Sequence, residues 1–193
     1  MKKYELTDET IDVSGTTLHR IKALKDFGNV KKGELGGYVE SERNLSQEGN
    51  CWVCGNAKVC GDAEVCGNAK VCGNAKVCGD AKVCGNAWVF GNAEVYGNAK
   101  VYGNAWVYGN AEVCGNARVY GDADYITIKG LGSKYRNTTI FRTKENIAVK
   151  CGCFYGTLAE FVDKVKETHG NSKFTKEYLA LIDLVKIHFE LEE

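Results

Sequence analysis

The stretch VCGDAEVCGNAKVCGNAKVCGDAKVCGNA, residues 59–87, is one hexapeptide written over and over. With Val as the first position, the unit runs Val, then Cys, Tyr or Phe, then Gly, then Asn or Asp, then Ala, then a free sixth position. Twelve consecutive units start at Val53 and step without insertion to Val119. The frame reaches back in degenerate form to Leu35, with Leu35, Val39, Leu45 and Cys51 in its apolar slots. It ends near Asp124, where YITIKG breaks the pattern.

The unit explains its own fold. Ala, the sixth position, Val and Cys alternate as strand residues do, so Ala and Val share one face while the sixth position and the Cys/Tyr/Phe slot share the other. Gly followed by Asn or Asp is turn chemistry that tolerates positive φ. A short strand and a bend, repeated, must coil. Lys, Glu, Arg and Trp occupy the sixth position, so the Val and Ala face is the inside.

An aliphatic residue with a small residue four later resembles the hexapeptide-repeat, left-handed β-helix superfamily. The resemblance covers residues 35–124 and implies a mainly β chain: a triangular left-handed parallel β-helix of about five coils, three hexapeptides to a coil, with residues eighteen apart stacked roughly 4.8 Å from each other. The block GTTLHRIKALKDFGNVKKGELGGYVESERNLS (15–46) is similar to the N-terminal cap of uncharacterised enterobacterial hexapeptide proteins that carry transferase-type names. The organisation expected is a cap at 1–34, the β-helix at 35–124 and a small α/β domain at 125–193.

Composition narrows the function classes. Lys plus Arg (25) equals Asp plus Glu (25), so no net charge points toward nucleic acid or a membrane surface. No apolar run approaches the roughly 18 residues needed to span a bilayer. The opening MKKYELTDETIDVSG has no apolar core of a signal peptide. A cytoplasmic chain follows, with its ten cysteines expected as reduced thiols.

At a period of eighteen, the slot after Val forms three outward columns: Cys54, Cys72, Phe90, Tyr108; Cys60, Cys78, Tyr96, Cys114; and Cys66, Cys84, Tyr102, Tyr120. Cysteines six apart then lie on different faces of a prism, where no tetrahedral zinc site with Zn–S near ~2.3 Å can assemble. Stacked cysteines at strand spacing are also expected to be poorly placed for a disulfide, whose Cβ atoms approach to ~3.8 Å. Cys, Tyr and Phe therefore read as interchangeable, moderately apolar fillers of an outer face.

Catalytic signatures are sparse. The superfamily's acyltransferases use a histidine in or beside the coils to deprotonate the acceptor, and this chain has only His19, His169 and His188, none within 35–124. His169 precedes a helix-stop glycine and His188 sits in an apolar helical stretch, so His19 is the one candidate general base. The outward sixth-position column reads Trp52, Lys70, Trp88, Trp106, Asp124. Beside it, Trp88, Phe90, Trp106 and Tyr108 would form an exposed aromatic patch, the mark of an interface; the family precedent is a trimer packed side by side. The other two faces carry charge ladders, Lys58, Lys76, Glu94, Glu112 and Glu64, Lys82, Lys100, Arg118.

The tail reads as strands YITIKG, NTTIFRT and NIAVKCGCFYG around a turn at 144–146, then two helices. The first opens on the capping box Thr157-x-x-Glu160 and closes at Gly170. The second spans about 175–190 with Tyr178, Leu179, Ile182, Val185 and Phe189 as its apolar face. Lys129, Lys134, Arg136, Arg142 and Lys144 make the strand part basic, a candidate site for the phosphates of a small molecule. Cys151 and Cys153 are expected on one face of a strand.

Two function classes remain. One is a non-catalytic binding or assembly protein, a rigid trimeric prism whose tail captures a phosphorylated small molecule or a protein partner, with no cofactor or metal. The alternative is an acyltransferase that takes its acyl group from acetyl-CoA at a site between subunits.

Overall fold

The computed structural model describes residues 2–191. The hexapeptides form a parallel solenoid in which each unit contributes a two-residue rung, from Trp52–Val53 to Arg118–Val119. Rungs eighteen residues apart pair in register, Val53 with Val71 and Val59 with Val77. Three parallel sheets result, one for each side of a prism of about five turns.

The inside is as the sequence demands. Every repeat Val and Ala is fully or almost fully buried, forming one continuous column of small and medium side chains. The corners turn on glycine: Gly73 has φ +71°, and a Cβ there would lie 3.1 Å from the backbone of Gly91 one turn on. Two corners also carry asparagine ladders, such as Asn50 to Asn68 at 3.2 Å and Asn68 to Asn86 at 3.1 Å, each amide donating to the carbonyl of the next.

Both ends of the solenoid are closed by groups that replace the missing turn. Each rung amide donates to a carbonyl one coil later, as Lys58 does to Ala75 at 2.9 Å. The last coil has no successor, so side chains accept instead: Asp122 from Trp106 N at 2.8 Å and Thr139 from Glu112 N at 3.0 Å. At the other end the side-chain amide of Asn44 donates to Gly61 O and Ala63 O, both at 2.9 Å. An open parallel edge would recruit other chains, and these residues prevent it.

The N-terminal cap is an antiparallel hairpin, β1 (Tyr4–Val13) and β2 (Thr16–Ala23), laid on β3 (Leu35–Val39). β3 runs parallel to the Lys58–Val59 rung, so the cap extends one prism face into a seven-stranded sheet. This arrangement corrects the placing of Trp52 on the outer surface. Its ring is 2 % exposed, covered by Phe27 at 5.4 Å and Tyr4 at 6.3 Å, both edge-on. The hairpin needs an apolar anchor on the first coil, and Trp52 is that anchor.

The tail is a four-stranded antiparallel sheet, β4 (Tyr125–Leu131), β5 (Arg136–Arg142), β6 (Ile147–Cys151) and β7 (Phe154–Thr157), followed by α1 (Leu158–His169) and α2 (Lys173–His188). Alternation along β5 decides the packing. Ile140 faces the helices, while Phe141 and Thr139 face the last coil. The α1 capping box is present as expected, with Thr157 accepting from Glu160 N and Glu160 accepting from Thr157 N at 2.8 Å. On α2 the buried set includes Leu181, with Leu179 half-buried.

Cys151 and Cys153 do not share a face. Gly152, at φ +58°, turns the chain between β6 and β7, leaving Cys151 buried and Cys153 exposed. No helix among the described residues is long and apolar enough to cross a membrane.

Candidate functional site

The outward cysteines overturn one expectation outright. Cys54 is disulfide-bonded to Cys72, and Cys66 to Cys84. Ideal strand spacing looks too wide for such a bond. Yet the Cα–Cα separation is 4.7 Å in both pairs, inside the roughly 4.4–6.8 Å that a disulfide accepts. Side chains leaning toward one another close the remaining gap. The third stacked pair, Cys60 and Cys78, is reduced.

The aromatic face forms as the spacing requires. Trp88 stacks on Trp106 at 5.4 Å and Phe90 on Tyr108 at 5.5 Å, with Phe90 edge-on to Trp106. Lys70 lies over the Trp88 ring at 4.9 Å, the distance of a cation–π contact. Where the patch meets β4, the rings border an open groove of about 650 Å³ floored by Tyr125 and Ile126. Trp106 and Tyr108 are almost half exposed. The charge ladders form too, with Lys76–Glu94 at 3.2 Å and Lys82–Glu64 at 2.8 Å. Glu112, at the top of its ladder, instead meets Lys150 of the tail at 3.5 Å.

The five tail cations separate into two groups. Arg136 and Arg142 begin and end β5, six residues apart, or roughly 20 Å along a strand. Arg142 is engaged at the solenoid junction, 3.2 Å from Asp124 and over the Phe189 ring at 5.0 Å. Lys144 lies in the next turn, beside Glu145 and Glu160 on a cleft of about 380 Å³. The N-terminus of α1 opens there, but the Glu160 carboxylate folds back over it to accept from the amide of the N-cap Thr157, held below its usual pKa by the hydrogen bonds from Thr157. Lys129 is exposed on β4.

Lys134 and Arg136 sit at the opposite end, on the rim of a pocket of about 310 Å³ between the β4–β5 turn, the β6–β7 turn and the helices. Its floor is aromatic, with Phe154 on Phe161 at 5.2 Å and Phe161 edge-on to Tyr178 at 5.3 Å. The Arg136 side chain crosses Gly152, where a Cβ would come within 2.5 Å of its Nη1, so only glycine lets the guanidinium lie there. Burial pushes the Tyr178 hydroxyl up to about 12, and it stays protonated to donate to Leu131 O at 3.3 Å. Among the described residues no carboxylate pairs with Lys134 or Arg136.

The three histidines lie apart from one another. His19 on β2 has Nδ1 3.2 Å from Thr7 O and pairs in register with Val39 of β3. His169 stacks on Tyr178 at the pocket's edge, and His188 Nε2 lies 2.9 Å from Ala123 O. Among the described residues no three His, Cys, Asp or Glu side chains converge to hold a metal.

Three parallel sheets of in-register hexapeptide rungs, with Val and Ala inside and glycine at each corner, fit the hexapeptide-repeat superfamily, as do the comparisons. Residues 93–109 match the YdcK β-solenoid repeat family. A stretch of 61 residues is 39 % identical to the uncharacterised acetyltransferase YdcK of Escherichia coli strain K12, covering 28 % of this chain. The match spans about a fifth of that relative's length, 19 %. The matched 93–109 segment contains Trp106 and the outward Tyr96, Tyr102 and Tyr108 but none of the disulfide pairs.

Sequence reasoning missed the residues that finish the solenoid, Asn44, Asp122 and Thr139, because their role exists only at an edge. It also missed the pocket floor. Lys134 and Arg136 were legible as charge, but Phe154 and Tyr178 come from elements that only the fold brings beneath them.

Proposed function

We propose that this hexapeptide protein is a non-catalytic binding and assembly module: a rigid prism, trimeric through its aromatic face, whose tail captures a small anionic ligand such as a phosphorylated metabolite with an apolar body. One observation carries the reading. Lys134 and Arg136, two cations with no carboxylate partner among the described residues, stand over a floor of Phe154, Phe161 and Tyr178. Such a pocket suits an anionic head at the rim and an aromatic or aliphatic body within. The stacked tryptophans supply a flat, apolar surface of the kind buried between subunits.

A second reading draws on the relative's name: an acyltransferase using acetyl-CoA at a cleft between subunits, with His19 as base. The two disulfides bear on location, since such bonds persist in oxidising compartments. They weigh against the reducing cytoplasm that the sequence suggested.

Native mass spectrometry of protein purified gently from its own host tests both readings. The binding proposal expects a trimer carrying a small adduct in the wild type and in Arg142→Ala, and an empty trimer in the Lys134→Ala/Arg136→Ala variant. An adduct that survives the double variant overturns the pocket assignment. Stoichiometric acetyl-CoA binding with release of free CoA supports the transferase instead.

A further inference from the structure

Six cysteines occupy the outward slots on all three faces of two successive coils. Cys54, Cys60 and Cys66 lie on one coil, and Cys72, Cys78 and Cys84 lie on the next in the same order. Two of the three stacked pairs are disulfides. The third has the same backbone. Cys60 N donates to Val77 O at 3.0 Å, as Cys54 N does to Val71 O at 2.8 Å and Cys66 N to Val83 O at 3.0 Å. The next turn carries Tyr96 above Cys78, so the column offers Cys78 a thiol on the Cys60 side alone before the buried Cys114.

We infer that Cys60 and Cys78 are a thiol–disulfide exchange site, closing to a third disulfide that completes a covalent band around these two coils. Both thiols are half-buried and so within reach of a small reagent. Their protons are already distributed for exchange. The two thiols influence each other: the neighbouring Cys60 brings the Cys78 thiol below its usual range, while Cys78 pushes the Cys60 thiol up. The charged groups facing the pair are Glu40, Lys76 and Glu94, and Lys76 is tied to Glu94 at 3.2 Å. Opposed charges leave the neighbouring thiol as the dominant influence on each member of the pair.

The oxidant is a low-molecular-weight disulfide. The Cys78 thiolate attacks one of its sulfurs, the reagent's S–S bond breaks, and a thiolate leaves and takes up a proton. The mixed disulfide on Cys78 is then attacked by Cys60, which gives up its proton as it forms the Cys60–Cys78 bond. The second reagent thiolate leaves and is protonated. Two cysteines are oxidised, one reagent disulfide is reduced to two thiols, and the protein loses two hydrogen atoms.

The position of the open pair matters. Its rungs belong to the seven-stranded sheet that continues through β3 into the N-terminal hairpin. The other two faces of the same coils are already locked. The redox state of Cys60 and Cys78 therefore decides whether the cap-bearing face can still open between these turns.

Trypsin cuts after Lys58, Lys70, Lys76 and Lys82, which puts Cys60 on peptide 59–70 and Cys78 on peptide 77–82. The intact protein is equilibrated in buffers of reduced and oxidised glutathione, quenched in acid, alkylated and digested. As the ratio becomes oxidising, alkylation of Cys60 and Cys78 is expected to fall together, and 59–70, which also carries Cys66 and is joined through it to Cys84 on 83–100, should in addition appear linked to 77–82, with fragmentation assigning that link to Cys60. In Cys78→Ser that linkage is lost while the Cys54–Cys72 pair persists. Recovery of alkylated 77–82 at every ratio overturns the inference, as does bonding of Cys60 to any cysteine other than Cys78.

Discussion

Residues 53–88 and 89–124 build two pairs of coils with one interior and different exteriors. Inside, both halves stack Val on Val and Ala on Ala, all buried. Outside, the slot after Val is Cys at all six positions of the first half, and Phe90, Tyr96, Tyr102, Tyr108, Cys114 and Tyr120 in the second. The first half ties its turns together covalently. The second ties them by ring stacking, as in Tyr102 on Tyr120 at 5.8 Å. The inner slots specify the coil and tolerate almost nothing else, while the outer slots need only fill a pleated surface and are free to acquire chemistry.

That contrast breaks most sharply from inside. Val95→Asp buries an unpaired carboxylate at a site with no exposure, and it should cost more than about 4 kcal/mol. The cooperative thermal transition followed by circular dichroism should disappear. If Val95→Asp melts like the wild type, the inner slot is not what specifies the coil.

The covalent half comes next. Cys54→Ser opens a bridge between residues 18 apart and should lower stability by about 3 kcal/mol. Denaturant unfolding with and without dithiothreitol measures this: the reductant opens both bridges, so it should cost the wild type more than Cys54→Ser does, and cost the variant only the share of Cys66–Cys84.

Trp106→Ala sharpens the comparison from the other side. It removes the stack on Trp88 and the edge contact with Phe90, worth about 0.5–1.5 kcal/mol beyond the buried area. Its larger consequence should be on assembly, with the trimer mass giving way to monomer in native mass spectrometry. A trimer that persists moves the interface off this face.

The smallest effect is a titration. The neighbouring Cys60 thiol holds the Cys78 thiol below its usual range, so Cys60→Ala should raise the Cys78 midpoint toward the ordinary thiol value near ~8.5. Alkylation rate against pH, followed on peptide 77–82, reads the shift. An unchanged midpoint would mean that Lys76, not Cys60, sets it.

Much of this molecule is legible in a single line of text. The period of six, Val with Ala four later, and one Gly–Asn or Gly–Asp per unit suffice for the coil, its register and the outward columns. The Thr157–Glu160 box and Gly170 bound the first tail helix as read. The failures share a cause. Local alternation places Trp52 outside and Cys153 beside Cys151, but Tyr4 of the hairpin together with Phe27 covers the one and a glycine turn redirects the other. The disulfides were dismissed on ideal strand spacing, where the observed Cα separation leaves room for them. The basic tail looked like one patch because charge was counted along the chain, whereas opposite ends of β5 lie far apart.

Sequence by itself determined the solenoid, because each hexapeptide repeats one local choice of strand, bend and inward side chain, and identical units can stack only in register. Tertiary structure alone decided what the ends and surfaces do. Asn44, Asp122 and Thr139 become caps only where a coil lacks a neighbour. Arg136 becomes part of a pocket only because α1 and α2 bring Phe161 and Tyr178 beneath it. Periodicity encodes contacts between equivalent residues; contacts between unlike segments depend on where the chain has travelled in between.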